Sequence, residues 1–367
     1  PHPMRNHVRP KRARHVLPLR KRSSADMPAK RPILSATEDD ILAFCREQNA
    51  PKYHAKQIQD WIYRKHAISF SEMSDIPKSL RGALEESFYL SRMSVVKTLT
   101  SHDGSEKFLF ELTDGAHIEA VILRFGTRVT FCLSSQVGCP LHCAFCATGA
   151  VYRRNLTVEE IVTQFTVLRG HAKKVNSVVF MGMGEPLLNM KNVMPAIKEL
   201  TSKDGFNLGT RHVTISTAGI IKGIERLGAL ESNIRLAVSL NSLRDSVRSK
   251  LMPINRKYPL PLLLDTLEAY VEDAKRMLTF EWVLINGVND SVNEAYRLMR
   301  LRRRFAFKVN LIPYNPILTV RHFKTPTPES IERFRSILEG GGIDVMERFR
   351  HGQDIGAGCG QLAGSVH

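Results

Sequence analysis

From residue 129 onward, the chain alternates short apolar segments with segments in which apolar residues recur three and four positions apart. Several apolar segments are nearly continuous, which is typical of strands covered on both faces. This alternation predicts parallel strands joined by crossover helices. The six predicted strands are 129–134, 177–181, 212–216, 235–240, 279–285 and 308–313. Six such units predict an α/β fold with an open, partial (β/α)6 barrel, whose chemistry lies at the carboxyl ends of the strands.

The residues before the barrel follow two other patterns. Apolar residues at helical spacing between 38 and 88 predict a small helical domain, with Cys45 as a core residue. Alternating stretches, separated by Gly104 and Asp114-Gly115, predict a short antiparallel β extension. The predicted divisions are a disordered basic tail (1–33), a helical accessory domain (34–94), the β extension (95–127), the barrel (128–343) and a carboxyl-terminal segment (344–367).

Cys139, Cys143 and Cys146 form a C-x3-C-x2-C triad. Three thiolates from one loop can hold three irons of a [4Fe-4S] cubane and leave the fourth iron open to a small molecule, whereas four cysteines make an electron carrier. Structural zinc is the alternative, but it requires four ligands, usually as two separated pairs, and the sequence has no second pair. His142, inside the triad, could then act as a ligand.

Composition indicates a cytoplasmic protein with an acidic partner. Six cysteines in 367 residues disfavour a disulfide framework. The chain has no run of about 18 apolar residues, so no membrane span is predicted. The net charge is +17, of which residues 1–31 contribute +9 through ten Lys or Arg against Asp26 alone. A tail of this composition could bind polyanions, serve in targeting or be a remnant of expression. A second basic run, 297–304, fits an RNA contact and a solvated helix end equally well.

Further motifs follow the predicted strands. They are Met-Gly-Met-Gly-Glu-Pro (181–186), Ser-Thr-Ala-Gly (216–219), Ser-Leu-Asn (239–241), and Asn310 and Asn315 around the end of the sixth strand. Each alone has an ordinary structural explanation; a Gly-x-Gly, for example, is more often a tight turn than a ligand site. Together with a three-thiolate loop on the same rim, they predict a cradle for a small molecule bound to iron.

The combination resembles the radical S-adenosylmethionine enzymes. More narrowly, five stretches resemble the RlmN and Cfr family of radical S-adenosylmethionine RNA adenosine methyltransferases, and the RlmN-type C2-methyltransferases most of all. The stretches are Ser-Ser-Gln-Val-Gly-Cys (134–139), Met-Gly-Met-Gly-Glu-Pro-Leu-Leu-Asn (181–189), Leu-Met-Pro-Ile-Asn (251–255), Val-Asn-Leu-Ile-Pro-Tyr-Asn-Pro (309–316) and Cys-Gly-Gln-Leu (359–362). The likeness extends from about residue 41 to residue 363.

The resemblance implies a role for each matching residue. The triad would hold the [4Fe-4S] cluster. Cys359 matches the thiol that carries a methyl group, Cys132 its partner in a transient disulfide, and Glu119 the proton acceptor. The residues that match positions contacting S-adenosylmethionine are Gly184, Glu185, Ser216, Ser239, Leu240, Asn241 and Asn315.

The implied reaction is methylation of C2 of an adenosine in large-subunit (23S) rRNA and, in some members of the family, in tRNA. Two S-adenosylmethionine molecules would be consumed per turnover, one to methylate Cys359 and one to generate a radical. The implied partners are rRNA and tRNA, bound by the helical accessory domain, and a low-potential electron donor such as flavodoxin or ferredoxin. A cytoplasmic monomer without membrane contact is expected.

Two alternatives stay open at this point. Methylation at C8 of the same adenosine would use the same five cysteines, so the catalytic residues do not separate it from methylation at C2. The other alternative is a non-catalytic iron-sulfur protein that binds RNA. Such a protein would need neither Cys132 nor Cys359, so their presence favours an enzyme.

Overall fold

The structure is a computed structural model that describes residues 30–91, 93–317, 320–347 and 352–363. The predictions for the basic tail fall almost entirely on residues 1–29, outside the described residues. The helices of the described residues are α1 (Glu38–Glu47), α2 (Tyr53–Tyr63), α3 (Lys78–Ser87), α4 (Val158–His171), α5 (Met190–Thr201), α6 (Ile221–Gly228), α7 (Asp245–Leu251), α8 (Leu260–Ala274), α9 (Val292–Leu301) and α10 (Pro328–Gly340). No helix in this part of the chain is long and apolar enough to cross a membrane.

Most of the strands belong to one sheet. The strands of the described residues are β1 (Arg31–Pro32), β2 (Phe88–Tyr89), β3 (Ser94–Thr100), β4 (Glu106–Glu111), β5 (His117–Phe125), β6 (Arg128–Cys132), β7 (Gln136–Gly138), β8 (Tyr152–Asn155), β9 (Ser177–Phe180), β10 (Val213–Thr217), β11 (Arg235–Ser239), β12 (Leu278–Leu284), β13 (Phe307–Pro313) and β14 (Asp344–Glu347). The large sheet has the order β14-β13-β12-β11-β10-β9-β6-β5-β4-β3. Strands β6 and β9 to β14 are parallel, so the predicted α/β class and all six predicted parallel strands are confirmed.

The sheet extends beyond the predicted barrel at both edges. At one edge, β14 pairs parallel with β13 and lies after residue 343, where the barrel was predicted to end. Its four residues alternate between exposed and half-buried at a sheet edge, so it lacks the apolar run by which the other strands were predicted. At the other edge, the antiparallel β extension continues the barrel sheet, because β5 pairs with β6 and places Val121 opposite Cys132.

Strand β6, which leads into the cysteine triad, is packed firmly by α4. Thr157 caps the helix just before its first residue: the Thr157 side chain accepts the Glu160 N–H, while the Glu160 carboxylate accepts the Thr157 N–H at 2.8 Å. These two reciprocal bonds form a capping box. Phe165 of α4 packs edge-on against Phe131 of β6, with ring centroids 5.5 Å apart. This packing fixes the strand that positions the candidate site.

The helices α1 to α3 enclose a hydrophobic cluster of their own, which extends from Ile33 to Leu90. Cys45 is fully buried in this cluster, as predicted. The helices contact the barrel at Phe206. The Phe206 ring packs edge-on against Tyr63 at 5.3 Å and parallel to His66 at 5.7 Å. Aromatic contacts therefore help to set how the helical region sits on the barrel.

The environment of His66 predicts that stability depends on pH. Burial, together with Arg169 and Arg64, lowers the pKa of His66 from 6.5 to about 4. As the pH falls below 6.5, the unfolded chain binds a proton at His66 that the folded protein does not bind. The contribution of His66 to the free energy of unfolding is therefore complete above pH 6.5 and is lost as the pH falls toward 4. Because the ring is only partly buried, we expect a loss of about 1 kcal/mol from this group between pH 7 and pH 5.

Urea unfolding at both pH values, for the wild type and for His66→Gln, measures this contribution. The variant should lose less stability on acidification than the wild type. Equal losses in the two proteins would contradict the role assigned to His66.

Candidate active site

The cysteine triad lies in a loop at the carboxyl end of β6. Strands β7 and β8 pair antiparallel and close this cluster loop, defined as residues 139–150. The Cys139 N–H donates to Val151 O at 2.9 Å, and the Ala144 N–H donates to Leu251 O at 2.9 Å. The loop backbone is therefore held from two sides, and neither bond uses a thiol.

His142, the alternative zinc ligand, is engaged within the cluster loop: it has a left-handed φ of 51°, and its Nδ1 lies 2.7 Å from Gly149 O. Among the described residues, no three His, Cys, Asp or Glu side chains converge on a position for a single metal ion. A cubane needs no such convergence, because each thiolate binds a different iron.

Two of the three half-buried thiols of the triad are difficult to ionise unless cations lie beside them. Burial raises the pKa of Cys139 to about 12 and that of Cys143 well above its ordinary value. The carboxylate of Glu185 and the thiolate of Cys146 add to both effects, because like charges repel. Such thiols ionise when metal ions balance their charge, and metal binding then releases protons. The donor set therefore fits the iron ions of a cluster.

The loop after β9 approaches β7 closely through Gly184. This residue has a φ of 99°, and a Cβ at this position would lie only 2.5 Å from the Cβ of Gln136. A side chain here would be both strained and in collision, so glycine is required. Gln136 Oε1 then accepts the Glu185 N–H at 2.8 Å. The two loops are locked together at the rim of the barrel.

Glu185 joins the loops after β9 and β10. Its Oε1 accepts the Leu187 N–H at 3.0 Å, and its Oε2 accepts the Ala218 N–H at 2.7 Å. Burial raises the pKa of Glu185 to about 7, while these backbone donors oppose the rise. A carboxyl group with this pKa would be driven into its charged form by a nearby cation, such as the amino group of an amino acid.

The predicted ligand residues on β10 and β11 also lie at the rim. Ser216 and Ser239 are half-buried at the carboxyl ends of these adjacent parallel strands. Leu240 and Asn241 follow and are fully buried. Asn241 has a φ of 59°, and its Oδ1 accepts the Val283 N–H at 2.7 Å. The Asn241 side chain thus joins the ends of β11 and β12.

Asn315 lies just beyond β13 and has an unsatisfied acceptor. Its Nδ2 donates to Cys359 O at 3.2 Å, whereas its buried Oδ1 has no hydrogen-bond partner among the described residues. Most buried polar atoms have such a partner. The Asn315 Oδ1 therefore marks a place where a polar group of a bound cofactor or substrate fits.

The three proposed reacting residues lie around one end of the sheet. Cys132 is buried at the end of β6, and Glu119 of β5 is buried two residues before Val121, the partner of Cys132. The Glu119 Oε2 accepts the Ala363 N–H at 2.7 Å, which places the segment that carries Cys359 beside it. Cys359 itself is exposed. The alternating sequence around Glu119 gave no signal of its burial, whereas all five residues from Ile118 to Ile122 are buried in the structure.

Arg248 is a structural element of the site that the sequence pattern did not indicate. The guanidinium is 1% exposed and donates to Ala218 O at 2.7 Å, Leu240 O at 3.1 Å and Asn255 Oδ1 at 2.7 Å. Burial lowers the pKa of Arg248 to about 10, and the neighbouring Cys143 opposes this effect. Arginine is usually exposed, so a single Arg on the short helix α7 gave no signal of burial.

Replacing Arg248 with Met should destabilise the protein strongly. The change would leave two buried carbonyl oxygens and the Asn255 Oδ1 without their donor, so we expect a loss of about 3 kcal/mol or more in the free energy of unfolding. Arg248→Lys should recover little, because one ammonium does not reproduce the planar fork. Urea unfolding measures the loss, with Arg256→Met at an exposed position as the control. Similar stability of Arg248→Met and the control would contradict this role.

Comparison with known proteins agrees with this geometry. Residues 133–299 match the Radical SAM superfamily. Residues 32–90 match the Ribosomal RNA large subunit methyltransferase N-terminal domain. The first match covers the cluster loop and most of the rim, and the second covers the helical region.

Relatives match along nearly the whole chain. The Dual-specificity RNA methyltransferase RlmN of Geotalea uraniireducens is 42% identical over 339 residues, which cover 91% of this chain and 97% of the relative. A Probable dual-specificity RNA methyltransferase RlmN of Thermus thermophilus is 43% identical, with coverage of 85% and 89%. The crystal structure of a radical SAM methyltransferase from Sphaerobacter thermophilus superposes with a TM-score of 0.86 at 39% identity, covering 91% of this chain and 99% of that chain. The chain therefore belongs to the RlmN family of radical S-adenosylmethionine RNA methyltransferases.

Proposed function

We propose that this protein methylates C2 of an adenosine in large-subunit rRNA and of an adenosine in tRNA, through a methylated Cys359 and a transient disulfide with Cys132. The relatives named as dual-specificity RNA methyltransferases support two kinds of RNA substrate. The observation that carries the proposal is the contact between the residue next to Cys359 and the cluster loop. The Ala147 N–H, one residue after Cys146, donates to the carbonyl of Gly360, one residue after Cys359, at 2.8 Å.

The chemistry of the target carbon explains why a thiol and a radical are both needed. C2 of adenine is electron-poor and does not attack a sulfonium methyl group as an ordinary nucleophile would. As a radical S-adenosylmethionine enzyme, the protein uses a [4Fe-4S] cluster and S-adenosylmethionine, which when bound supply a radical able to remove a hydrogen atom from a methyl group. The proposed cluster ligands are Cys139, Cys143 and Cys146. The proposed S-adenosylmethionine contacts are Gly184, Glu185, Ser216, Ser239, Leu240, Asn241 and Asn315.

The side chains of this protein then guide the transfer. Cys359 Sγ receives a methyl group from one S-adenosylmethionine, and that methyl carbon, after loss of a hydrogen atom, adds to C2 and joins protein to RNA. Glu119 takes the proton that C2 loses, and the adduct gives up its unpaired electron, which the oxidised cluster would accept when bound. Cys132 Sγ, as a thiolate, then attacks Cys359 Sγ, and the bond between that sulfur and the methylene carbon breaks. The carbon keeps the electron pair and takes up a proton to become the methyl group, so a disulfide forms as the methylated base leaves. An external reductant restores both thiols, and two S-adenosylmethionine molecules are consumed per turnover.

Further elements of the proposal concern partners and location. The helical region α1 to α3 is the proposed RNA platform, supported by its match to the rRNA methyltransferase N-terminal domain. The target base would be splayed out of the RNA to reach the barrel mouth. A low-potential donor such as flavodoxin or ferredoxin would reduce the cluster of a cytoplasmic monomer. The reducing cytoplasm suits the reactive thiols of this site.

Two competing functions are distinguished by the product. Methylation at C8 would use the same cysteines and give 8-methyladenosine. A non-catalytic iron-sulfur protein would bind RNA and give no product. The burial of Glu119 beside the Cys359 segment favours an enzyme, because RNA binding alone requires neither residue.

Anaerobic reconstitution of the cluster, followed by mass spectrometry of treated RNA, tests the function. The enzyme is incubated with S-adenosylmethionine, a reductant and either a large-subunit rRNA fragment or tRNA, and the nucleosides are compared with 2-methyladenosine and 8-methyladenosine. We expect 2-methyladenosine from both RNAs. Protein without the reconstituted cluster is the control. Formation of 8-methyladenosine, or no methylated nucleoside, would overturn the proposal.

A further inference from the structure

The residues around Cys359 form a carboxyl-terminal strap, defined as residues 352–363, that lies across the site. Its first part is fixed to the turn between β3 and β4. Asp354 accepts the Ser101 hydroxyl at 2.6 Å and the His102 N–H at 3.2 Å, and the Gly352 N–H donates to Asp103 Oδ2 at 2.9 Å. The strap is therefore anchored to the β extension before it reaches the site.

The second part of the strap is fixed to the cluster loop. The Thr148 hydroxyl donates to Leu362 O at 2.6 Å, in addition to the Ala147 bond to Gly360 O. Gly360 has a φ of 84°, and a Cβ there would lie 2.9 Å from Phe145 O. The strap thus approaches the cluster loop at a distance that only glycine allows.

Lys107 of β4 links these two parts. Its ammonium lies 2.9 Å from Glu119 Oε1 and donates to Gly356 O at 3.2 Å. The other oxygen of Glu119 accepts the Ala363 N–H. One ion pair therefore holds the strap on both sides of Cys359, three residues before it and four residues after it.

The ion pair between Lys107 and Glu119 is largely shielded from solvent. The side chains of Lys107 and Glu119 are 14% and 4% exposed, so water screens them poorly. Removing one partner from such a pair leaves the other charge buried and uncompensated. Without Lys107, the strap would lose the bond at Gly356 and the Glu119 carboxylate would lose this ion pair. The exposed Cys359 side chain between the two anchors is thus presented by a fixed backbone.

We propose that Lys107 is a positioning residue, which holds the strap and Glu119 together so that the Cys359 Sγ and the Glu119 carboxylate face the same RNA base. This inference rests on the proposed function, because it gives Cys359 and Glu119 the roles of methyl carrier and proton acceptor. Lys107 would act through its two contacts, Glu119 and Gly356.

Three variants of the full chain test the proposal: Lys107→Met, Lys107→Arg and Arg124→Met. Arg124 is the matched control, because its ion pair with Glu106 lies in the same β extension at 2.6 Å. Its side chain also donates to Gly104 O and His171 O, and within the described part of the chain it makes no hydrogen bond to the strap itself. Hydrogen exchange of a peptide within residues 352–363 reports on the strap and needs no cofactor. The single-turnover rate and the KM for RNA, measured with the reconstituted enzyme, report on the reaction.

We expect Lys107→Met to speed exchange in the strap by about tenfold or more and to slow RNA methylation by about 100-fold with little change in KM. Lys107→Arg should restore the rate to within about tenfold of the wild type, because it keeps the cation. Arg124→Met should match the wild type in both measurements.

Three results would overturn the proposal: unchanged exchange in Lys107→Met, equal loss of rate in Lys107→Met and Lys107→Arg, or equal loss in Arg124→Met. If the wild-type enzyme formed no methyladenosine, the proposed function would fail instead, and the exchange measurement alone would decide whether Lys107 anchors the strap.

Discussion

Cys359→Ala is expected to reduce RNA methylation by a factor of ~10³ or more, with iron content unchanged. The variant keeps the three cysteines of the cluster loop but lacks the sulfur that carries the methyl group. The exposed side chain makes no contribution to a packed core, so the fold should tolerate the change. Mass spectrometry of the RNA nucleosides measures the product, and iron analysis with the visible absorbance of the cluster measures the cofactor.

The matched control for this variant is Cys45→Ala. Cys45 lies in the core of the helical region, and its replacement should leave RNA methylation largely intact. Unchanged product formation by Cys359→Ala would contradict the methyl-carrier mechanism. Loss of iron together with activity would show that Cys359 acts on the cluster and not on the methyl group.

Cys132→Ala is expected to stop the reaction after the methyl carbon has joined the base, so that a covalent complex of protein and RNA accumulates. The methyl carbon would still add to the base, but no thiol would be in place to attack the sulfur of Cys359. Labelled RNA should therefore migrate with the protein on a denaturing gel and return to its free mobility after protease treatment. Release of methylated RNA should fall by about 100-fold or more.

The double variant Cys132→Ala, Cys359→Ala provides the control for this trap. It should form no covalent complex, because the atom that joins protein to RNA is absent. Release of free methylated RNA by Cys132→Ala at the wild-type rate would contradict the disulfide step. Complex formation by the double variant would show that another residue attacks the base.

The parts of the fold that depend on local pattern were predictable from sequence. Several of the six parallel strands are nearly continuous apolar runs, and the capping box at Thr157 uses residues three positions apart, so short windows of sequence sufficed. Strand β14 was missed because its side chains are partly exposed at the sheet edge and give no apolar run. Its place in the sheet depends on pairing with β13, which a local window does not contain.

The rim residues were predictable as a group because parallel strands bring their carboxyl ends to one edge. The location of Gly184 and Glu185 at the rim followed from this rule together with the Met-Gly-Met-Gly-Glu-Pro motif at 181–186. The burial of Arg248 did not, since its partners Ala218 and Leu240 come from two separate loops. The link from Lys107 to Gly356 joins residues 249 positions apart, and no periodicity in the sequence encodes such a contact.

The contacts of the strap also bear on the order of events during folding. The bond from Ser101 to Asp354 spans 253 positions, and the bond from Thr148 to Leu362 spans 214. Such distant pairings cost more loop-closure entropy than contacts between neighbouring strands of the barrel, so we expect them to form later. The mouth of the barrel would then stay uncovered during the interval before the strap docks. That interval would allow iron and sulfide to enter before the strap closes over the cluster loop.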